Sequence, residues 1–299
     1  MRVGIIGTGI MGSNLARCLS KKGVELAFYN RTKARAVELA REVGGGVYDS
    51  PGELLKNVDV AIVFVYDDYA LKSVVANLVK NSSAGLEGRV LLNASTVTPM
   101  ASLEASTLLK TVGVNYVEAP VYGSADEARE CKLLTMLACD EGVREAAMAT
   151  ARLYSSDVVY VGEPPSAIVI KLALNNIGLA LPALLAESLM LLEAWGADLN
   201  SFMSIARKLW FGALLERYWE RVLTEKPPRF KLAAAGKDYW CIASALKAKG
   251  LPSLVSDAIS SLFLTAASGG YGEKDYPQVA RYYLELAKKY RGKSPQSVP

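Results

Sequence analysis

The chain reads as an α/β protein: a doubly wound parallel-sheet domain at the N-terminus, then an all-α domain entered through a long interdomain helix. Three observations predict this. As far as residue 163, short apolar runs alternate with amphipathic helical patterns, the rhythm of a parallel sheet with helices on both faces. After the Pro164-Pro165 turn a helical pattern of roughly thirty residues runs to Trp195, about 45 Å of helix. Beyond Trp195 helical stretches are broken by Gly-Ala-Asp, Lys-Pro-Pro and Gly-Leu-Pro turns, and no strand pattern returns.

Taken in order, residues 2–7, 24–29, 58–65, 90–93 and 116–119 are predicted strands. Residues 12–21, 33–43 and 100–110 are predicted amphipathic helices between them. Further strands over 132–138 and 158–161 are expected to finish the first domain, residues 1–163. The helical domain is expected over 164–291, with a Ser/Pro-rich, frayed tail over 292–299. The most apolar stretch, 177–192, contains Pro182 and Glu187 and falls short of a bilayer span, so it reads as a buried helix.

Composition narrows the function. The 299 residues suffice for two cores, and 51% hydrophobic with 21% charged residues is a globular balance rather than a disordered one. The net charge of +4 is spread out apart from one cluster around Arg31, Lys33 and Arg35. That suits a small anionic ligand; no nucleic-acid partner is expected, since one would need a concentrated basic stripe, and no membrane partner either. Cys18, Cys131, Cys139 and Cys241 form no C-x-x-C pair, which argues against a disulfide framework or a zinc site and for a reducing cytoplasm. A strand-like run from Arg2 leaves no room for a signal peptide. The chain has no histidine. Ser-His-Asp hydrolysis, His-ligated metals and histidine proton donors are thereby excluded, so any acid or base is Lys, Asp, Glu, Tyr or Cys.

Gly7-Thr8-Gly9-Ile10-Met11-Gly12 follows a predicted strand and opens a predicted helix. In that context a G-x-G-x-x-G is a Rossmann-type dinucleotide fingerprint. Gly7 permits the turn, Gly9 admits a pyrophosphate, Gly12 lets helix and strand pack closely, and the helix N-terminus attracts the anion. The end of the second strand selects the dinucleotide. An acid that would bind the ribose 2′-hydroxyl of NAD is replaced by Asn30-Arg31-Thr32. Arg31 suits a 2′-phosphate and Thr32 can donate to it, so NADP(H) is preferred; the competing reading is a solvated helix start with Thr32 as an ordinary cap.

Lys171 and Asn175 lie four apart on the long helix, on one face, among the apolar Ile168, Leu172, Leu174 and Leu179. A buried lysine is a fit proton donor near neutrality. A lysine that snorkels to the surface is the alternative, and spacing alone does not choose.

Six ordered motifs across nearly the whole chain resemble the β-hydroxyacid dehydrogenase family, which includes 3-hydroxyisobutyrate dehydrogenases and glyoxylate/succinic semialdehyde reductases. They are the glycine motif ending in Met11-Gly12, Asn30-Arg31-Thr32, Ser95-Thr96, Glu118-Ala119-Pro120-Val121-Tyr122-Gly123-Ser124, Lys171 with Asn175, and Phe230-x-Leu232 followed by Lys237-Asp238. The resemblance implies that Lys171 is the general acid that protonates the alkoxide as hydride reaches the carbonyl carbon, with Asn175 orienting it or the substrate. It implies substrate contacts from Ser95, Tyr122, Gly123, Ser124, Lys171, Asn175 and Asp238. It implies cofactor contacts from Gly7, Gly9, Ile10, Met11, Gly12, Asn30, Arg31, Thr32, Val65, Ser95, Thr96, Phe230 and Lys237, and a homodimer or homotetramer. The implied substrate is a small carboxylate-bearing aldehyde or keto acid and its hydroxy acid.

Two departures stand out. Tyr122 occupies a position where the family usually has serine, and Pro165-x-Ala167 replaces a Gly-x-Gly before the catalytic helix, which stiffens or re-bends the approach to it. Glu118, Ser124 and the Lys-x-x-x-Asn spacing are similar to the glyoxylate/semialdehyde reductase branch. An imine reductase is a second reading, opposed by Lys171 where those enzymes carry Asp or Tyr. A catalytically silent NADP-binding scaffold is a third.

Overall fold

A computed structural model describes residues 1–80 and 85–291; the expected tail from Gly292 lies outside the described residues. The chain divides into two compact units, Met1–Leu172 and Ala173–Pro299.

The first unit begins β1 (Arg2–Ile6), α1 (Ile10–Lys21), β2 (Glu25–Tyr29), α2 (Lys33–Val43), β3 (Gly46–Val47), α3 (Pro51–Lys56), β4 (Val60–Val63) and α4 (Asp68–Lys80). It continues β5 (Val90–Asn93), α5 (Pro99–Lys110), β6 (Asn115–Glu118), β7 (Val121–Tyr122), α6 (Ala125–Arg129), β8 (Leu133–Leu137), α7 (Arg144–Ala151), β9 (Ser155–Tyr160) and α8 (Ser166–Gly178), whose last residues fall in the second unit. Six strands form one parallel sheet in the order β3-β2-β1-β4-β5-β6. This is the doubly wound Rossmann order, and it reverses between β1 and β4, where such sheets bind ligands at the carboxyl ends of their strands.

Burial explains the sequence pattern. All four residues of β4 are buried, so its run is continuously apolar rather than alternating. Val3 and Ile5 of β1, Leu15 and Leu19 of α1, Phe28, Ile62, Leu92 and Val117 share one core. Each such side chain stabilises the fold by about 1.5–3 kcal/mol. Two helices start on a cap followed by proline: Ser50 accepts from the Glu53 amide before Pro51, and Thr98 from the Ala101 amide before Pro99.

Three expectations need correction. The strands expected over 132–138 and 158–161 exist as β8 and β9, but they form a separate three-stranded sheet with β7, which runs antiparallel to β8. The two sheets meet where Glu118 and Ala138 exchange backbone hydrogen bonds of 2.9 and 3.0 Å. The cysteines are not all free: Cys18 on α1 and Cys131, just after α6, form a disulfide with Cα atoms 5.4 Å apart. Local spacing is blind to it because the two residues are 113 apart in sequence and meet only when α1 packs on α6. Cys139 is a free thiol, and both it and Cys241 are buried.

The third correction concerns the long helix. It is interrupted at Leu179, between α8 and α9 (Ala180–Trp195). Pro182 has no amide hydrogen to give the Gly178 carbonyl one turn back, and the Tyr218 hydroxyl donates to that carbonyl instead at 3.2 Å. The helix is also only half buried within this chain. Leu185, Ala186 and Leu189 are covered, whereas Ile177, Leu184 and Leu191 are exposed. The second unit continues α10 (Leu199–Ala206), α11 (Gly212–Leu223), α12 (Leu232–Lys247), α13 (Leu254–Ala266) and α14 (Gln278–Arg291). Its core joins Leu185 and Leu189 to Met203, Leu215, Val222, Ala280 and Leu284.

Candidate active site

The glycine loop stands at the carboxyl end of β1. Gly7 has φ +99° and its amide donates to the Tyr29 carbonyl; a Cβ there would lie 2.0 Å from the Phe64 carbonyl oxygen. A Cβ on Gly12 would lie 2.0 Å from the Gly7 carbonyl oxygen, so both positions are closed to any side chain. A Cβ on Gly9 would meet nothing within 4 Å. The N-terminus of α1, at Ile10 and Met11, has no side-chain cap and no acid in its first turn. The buried Thr8 hydroxyl has no hydrogen-bond partner among the described residues. Open space over Gly9, uncapped first-turn amides and an unmatched hydroxyl fit the diphosphate of a dinucleotide.

At the end of β2, Asn30 ties the loop to the next helix: its Oδ1 accepts from the Thr8 amide at 3.1 Å and its Nδ2 donates to the Thr32 carbonyl at 3.0 Å. Thr32 is the N-cap residue of α2, yet its side chain makes no cap hydrogen bond, against the ordinary-cap reading. Lys33 pairs with Asp49, while exposed Arg31 has no ion-pair partner among the described residues.

Ser95 is held at the end of β4 by its own side chain. It is buried, its hydroxyl donates to the Val63 carbonyl at 3.2 Å, and the same oxygen accepts from the Val65 amide at 2.9 Å. The side chain thus locks the end of β4, and Val65 with it, beside the glycine loop; Thr96 follows, half-buried.

Lys171 is 8% exposed, which rules out the surface-snorkelling reading. Its Nζ lies 4.8 Å from the centroid of the Tyr122 ring, within range of a cation–π attraction. Tyr122 itself is 43% exposed, so the residue over whose ring the ammonium sits stays partly accessible. Gly123 takes φ +137°, a turn that a side chain resists. The Ser124 amide donates to the Glu127 carboxylate at 2.7 Å, and the Ser124 hydroxyl donates to the same oxygen. The two Ser124 donors are thus both directed at Glu127 in the first turn of α6.

Within the second unit, Asn175, Lys237 and Asp238 come together. The Asn175 side-chain amide donates to Asp238 Oδ2 at 2.7 Å, and Lys237 Nζ lies 2.6 Å from Oδ1. The carboxylate is 2% exposed and orients both partners, so Asp238 acts here on Asn175 and Lys237. Phe230 packs edge-on against Tyr276, and its amide donates to the buried Asp275. Asp275 in turn pairs with Arg221 at 2.9 Å.

One group carries a role that motif matching did not assign. Glu118 is fully buried, and its carboxylate accepts from the amides of Ala167 and Ile168 at 3.0 and 3.1 Å, in the first turn of the helix that bears Lys171. Burial raises this carboxyl to about 7. The available signal was an acid closing an apolar strand; its partners lie 16 to 50 residues away.

Residues 2–162 match the family model of the NAD-binding domain of 6-phosphogluconate dehydrogenase. A glyoxylate/succinic semialdehyde reductase of Arabidopsis thaliana is 28% identical over 93% of this chain and 97% of its own. The 2-hydroxy-3-oxopropionate reductase of Escherichia coli is 26% identical over 96% of this chain and 98% of its own. The crystal structure of a 3-hydroxyisobutyrate dehydrogenase from Salmonella typhimurium superposes with a TM-score of 0.78 at 21% identity, over 94% of this chain and 99% of that one. A Rossmann unit with an uncapped, open glycine loop, a following helical unit and these relatives make one statement: the chain belongs to the β-hydroxyacid dehydrogenase family of nicotinamide-dependent oxidoreductases.

Proposed function

We propose that the protein is an NADP(H)-dependent reductase that interconverts a small carboxylate-bearing aldehyde or keto acid and its hydroxy acid, with Lys171 as general acid and base. The observation that carries this is a buried ammonium under an aromatic face, in a chain that has no histidine to do the same work. Support for the phosphorylated dinucleotide comes from the missing acid at the end of β2 and from Arg31, which has no competing ion pair among the described residues. The relatives named for glyoxylate, succinic semialdehyde and 2-hydroxy-3-oxopropionate support a small oxo acid as substrate.

The bound cofactor supplies the hydride. Lys171 holds a proton on Nζ and delivers it to the substrate oxygen as negative charge develops there, which is the step a positioned acid accelerates. The Tyr122 ring steadies the charged form of that lysine. Asp238 fixes the amide plane of Asn175, so that Asn175 presents one orientation rather than two.

Steady-state kinetics with NADPH over a panel of aldehyde and keto acids test this. Lys171→Ala is expected to lose on the order of 10²–10⁴ in kcat while NADPH, followed by fluorescence titration, binds as before and more tightly than NADH. Turnover of Lys171→Ala at the wild-type rate, exclusive turnover of cyclic imines, or tight NADPH binding with no turnover anywhere on the panel would overturn the proposal.

A further inference from the structure

Both oxygens of the Glu118 carboxylate are engaged. Oε2 receives the two first-turn amides of α8, and Oε1 accepts the Ser102 hydroxyl at 2.5 Å. Hydrogen bonds continue from there through the core. Ser102 Oγ is 2.8 Å from the Tyr116 hydroxyl, Asn93 Nδ2 donates to Tyr116 at 2.9 Å, and Asn93 Oδ1 accepts from the Ser95 amide at 3.0 Å. Asn93, Ser102 and Glu118 are each 0% exposed, and Tyr116 is 5% exposed. One unbroken chain therefore runs from the Ser95-Thr96 segment to the start of the helix carrying Lys171.

The direction of that chain is set by counting hydrogens. Ser102 has one, given to Glu118, so Tyr116 must donate to Ser102, and the Tyr116 oxygen accepts from Asn93. Each of these hydrogens has an acceptor only while Glu118 is ionised. A proton on Oε1 makes Ser102 the acceptor, and Ser102 then either turns its own hydrogen toward Tyr116 or accepts from both neighbours. In either arrangement one hydroxyl hydrogen, of Tyr116 or of Ser102, is left without an acceptor among these groups. A buried donor left unmade is costly, and a half-satisfied network more so than a complete one.

We infer that Glu118 is a positioning residue whose ionised carboxylate seats the first turn of α8, and with it Lys171 one turn on, so that protonating Glu118 lowers turnover. This rests on Lys171 being the proton donor. The groups facing the carboxyl are the Ser102 hydroxyl from α5, the Tyr116 phenol from its own strand and the α8 amides, while Ala138, just past β8, pairs with the Glu118 backbone. Tyr116 is the titratable one; burial, and next to it the charge of Glu118, push its phenol far above the ordinary range, so it stays neutral. Burial raises Glu118 to about 7, against the lowering effect of Ser102 and the two amides, and with no histidine the neutral range holds few competing side chains.

The sign follows from that shift. The carboxyl's folded value lies above its ordinary 4.5, so its contribution to stability is complete below about 4.5 and is withdrawn as pH rises through 7. Ionisation costs fold stability and completes the hydrogen-bond chain that seats the helix. A purely structural role predicts the first effect without any change in rate.

The test is kcat against pH, from 5.5 to 9, for wild type, Glu118→Gln, Glu118→Asp, Ser102→Ala and Lys171→Ala. Wild-type kcat is expected to rise roughly tenfold as pH climbs through about 7, the size of loss that a small misplacement of a catalytic group produces. Glu118→Gln presents an amide to Ser102 and so copies the protonated pattern at every pH. Its kcat is expected to stay flat near the wild-type acid value, with NADPH affinity unchanged. Ser102→Ala removes a hydrogen bond that favours the carboxylate, and the midpoint of the rise is expected to move up by roughly one unit. Glu118→Asp keeps an ionisable group and is expected to restore a rise at reduced kcat; with Ser102→Ala it decides the matter if Glu118→Gln does not fold. A Glu118→Gln protein with the wild-type rise, or one that loses only thermal stability, overturns the inference, as does an unmoved midpoint in Ser102→Ala. Full turnover by Lys171→Ala sinks the proton-donor assignment instead.

Discussion

Tyr122 replaces the family's usual serine with a hydroxyl on a ring, and it is the ring face that Lys171 meets, at 4.8 Å. A cation–π contact favours the charged amine over the neutral one by about 0.5–2 kcal/mol, or up to roughly 1.5 units on a pH axis. Tyr122→Phe keeps the face and is expected to keep the alkaline limb of the kcat profile. Tyr122→Leu removes it, and that limb is expected to move to lower pH by roughly half a unit or more. Identical limbs in the two variants would show that the ring contributes no more than bulk. At this scale the glycine loop was singled out by its spacing between strand and helix, and Lys171, Asn175 and Asp238 through the family resemblance. Ser102, Tyr116 and Asn93 were not legible, and Glu118 was legible only as a motif letter without this role. Each has an ordinary place in a strand or helix, and their connection exists only through contacts across the sheet.

Elements were legible to within a residue or two where one period dominates, as in α2, predicted over 33–43 and observed at Lys33–Val43, and β5, predicted over 90–93 and observed at Val90–Asn93. The two-residue strands β3 and β7 and the short α3 and α6 are too brief for any period to register. The pairing of elements was less visible still. Nothing along the sequence places α1 against α6, yet Cys18 and Cys131 join them there. Constraining two points 113 residues apart stabilises a fold by about 2–4 kcal/mol. Reduction, or Cys131→Ser, is therefore expected to lower Tm by on the order of 5–10 °C in calorimetry. An unchanged Tm on reduction would mean that the bond adds nothing to the stability that packing of α1 against α6 already provides.

For the whole molecule, the change from an alternating to a purely helical pattern gave the fold class, since layer architecture follows from which periods occur and in what order. Within this chain the stretch 177–192, expected as a buried helix, is covered on one side only. Ile177, Leu184, Leu191 and Trp195 recur every seven or four residues and are 58–84% exposed, on the side of the helices opposite Leu185 and Leu189. An apolar stripe of that length is expected to self-associate, by the same argument that makes a buried face a core. Light scattering is expected to report a dimer or larger particle at micromolar protein, and Leu184→Glu with Leu191→Glu a smaller one. A wild-type monomer at that concentration would refute it.

The break at Leu179 has a consequence for how this chain can vary. The carbonyl that Pro182 abandons is collected by Tyr218, a residue 40 positions away in a different helix. The proline and the phenol are thus one device written in two places. Loss of the Tyr218 hydroxyl leaves that carbonyl without its donor, whereas any other residue at 182 returns an amide to it, so the phenol is needed for as long as the proline stays.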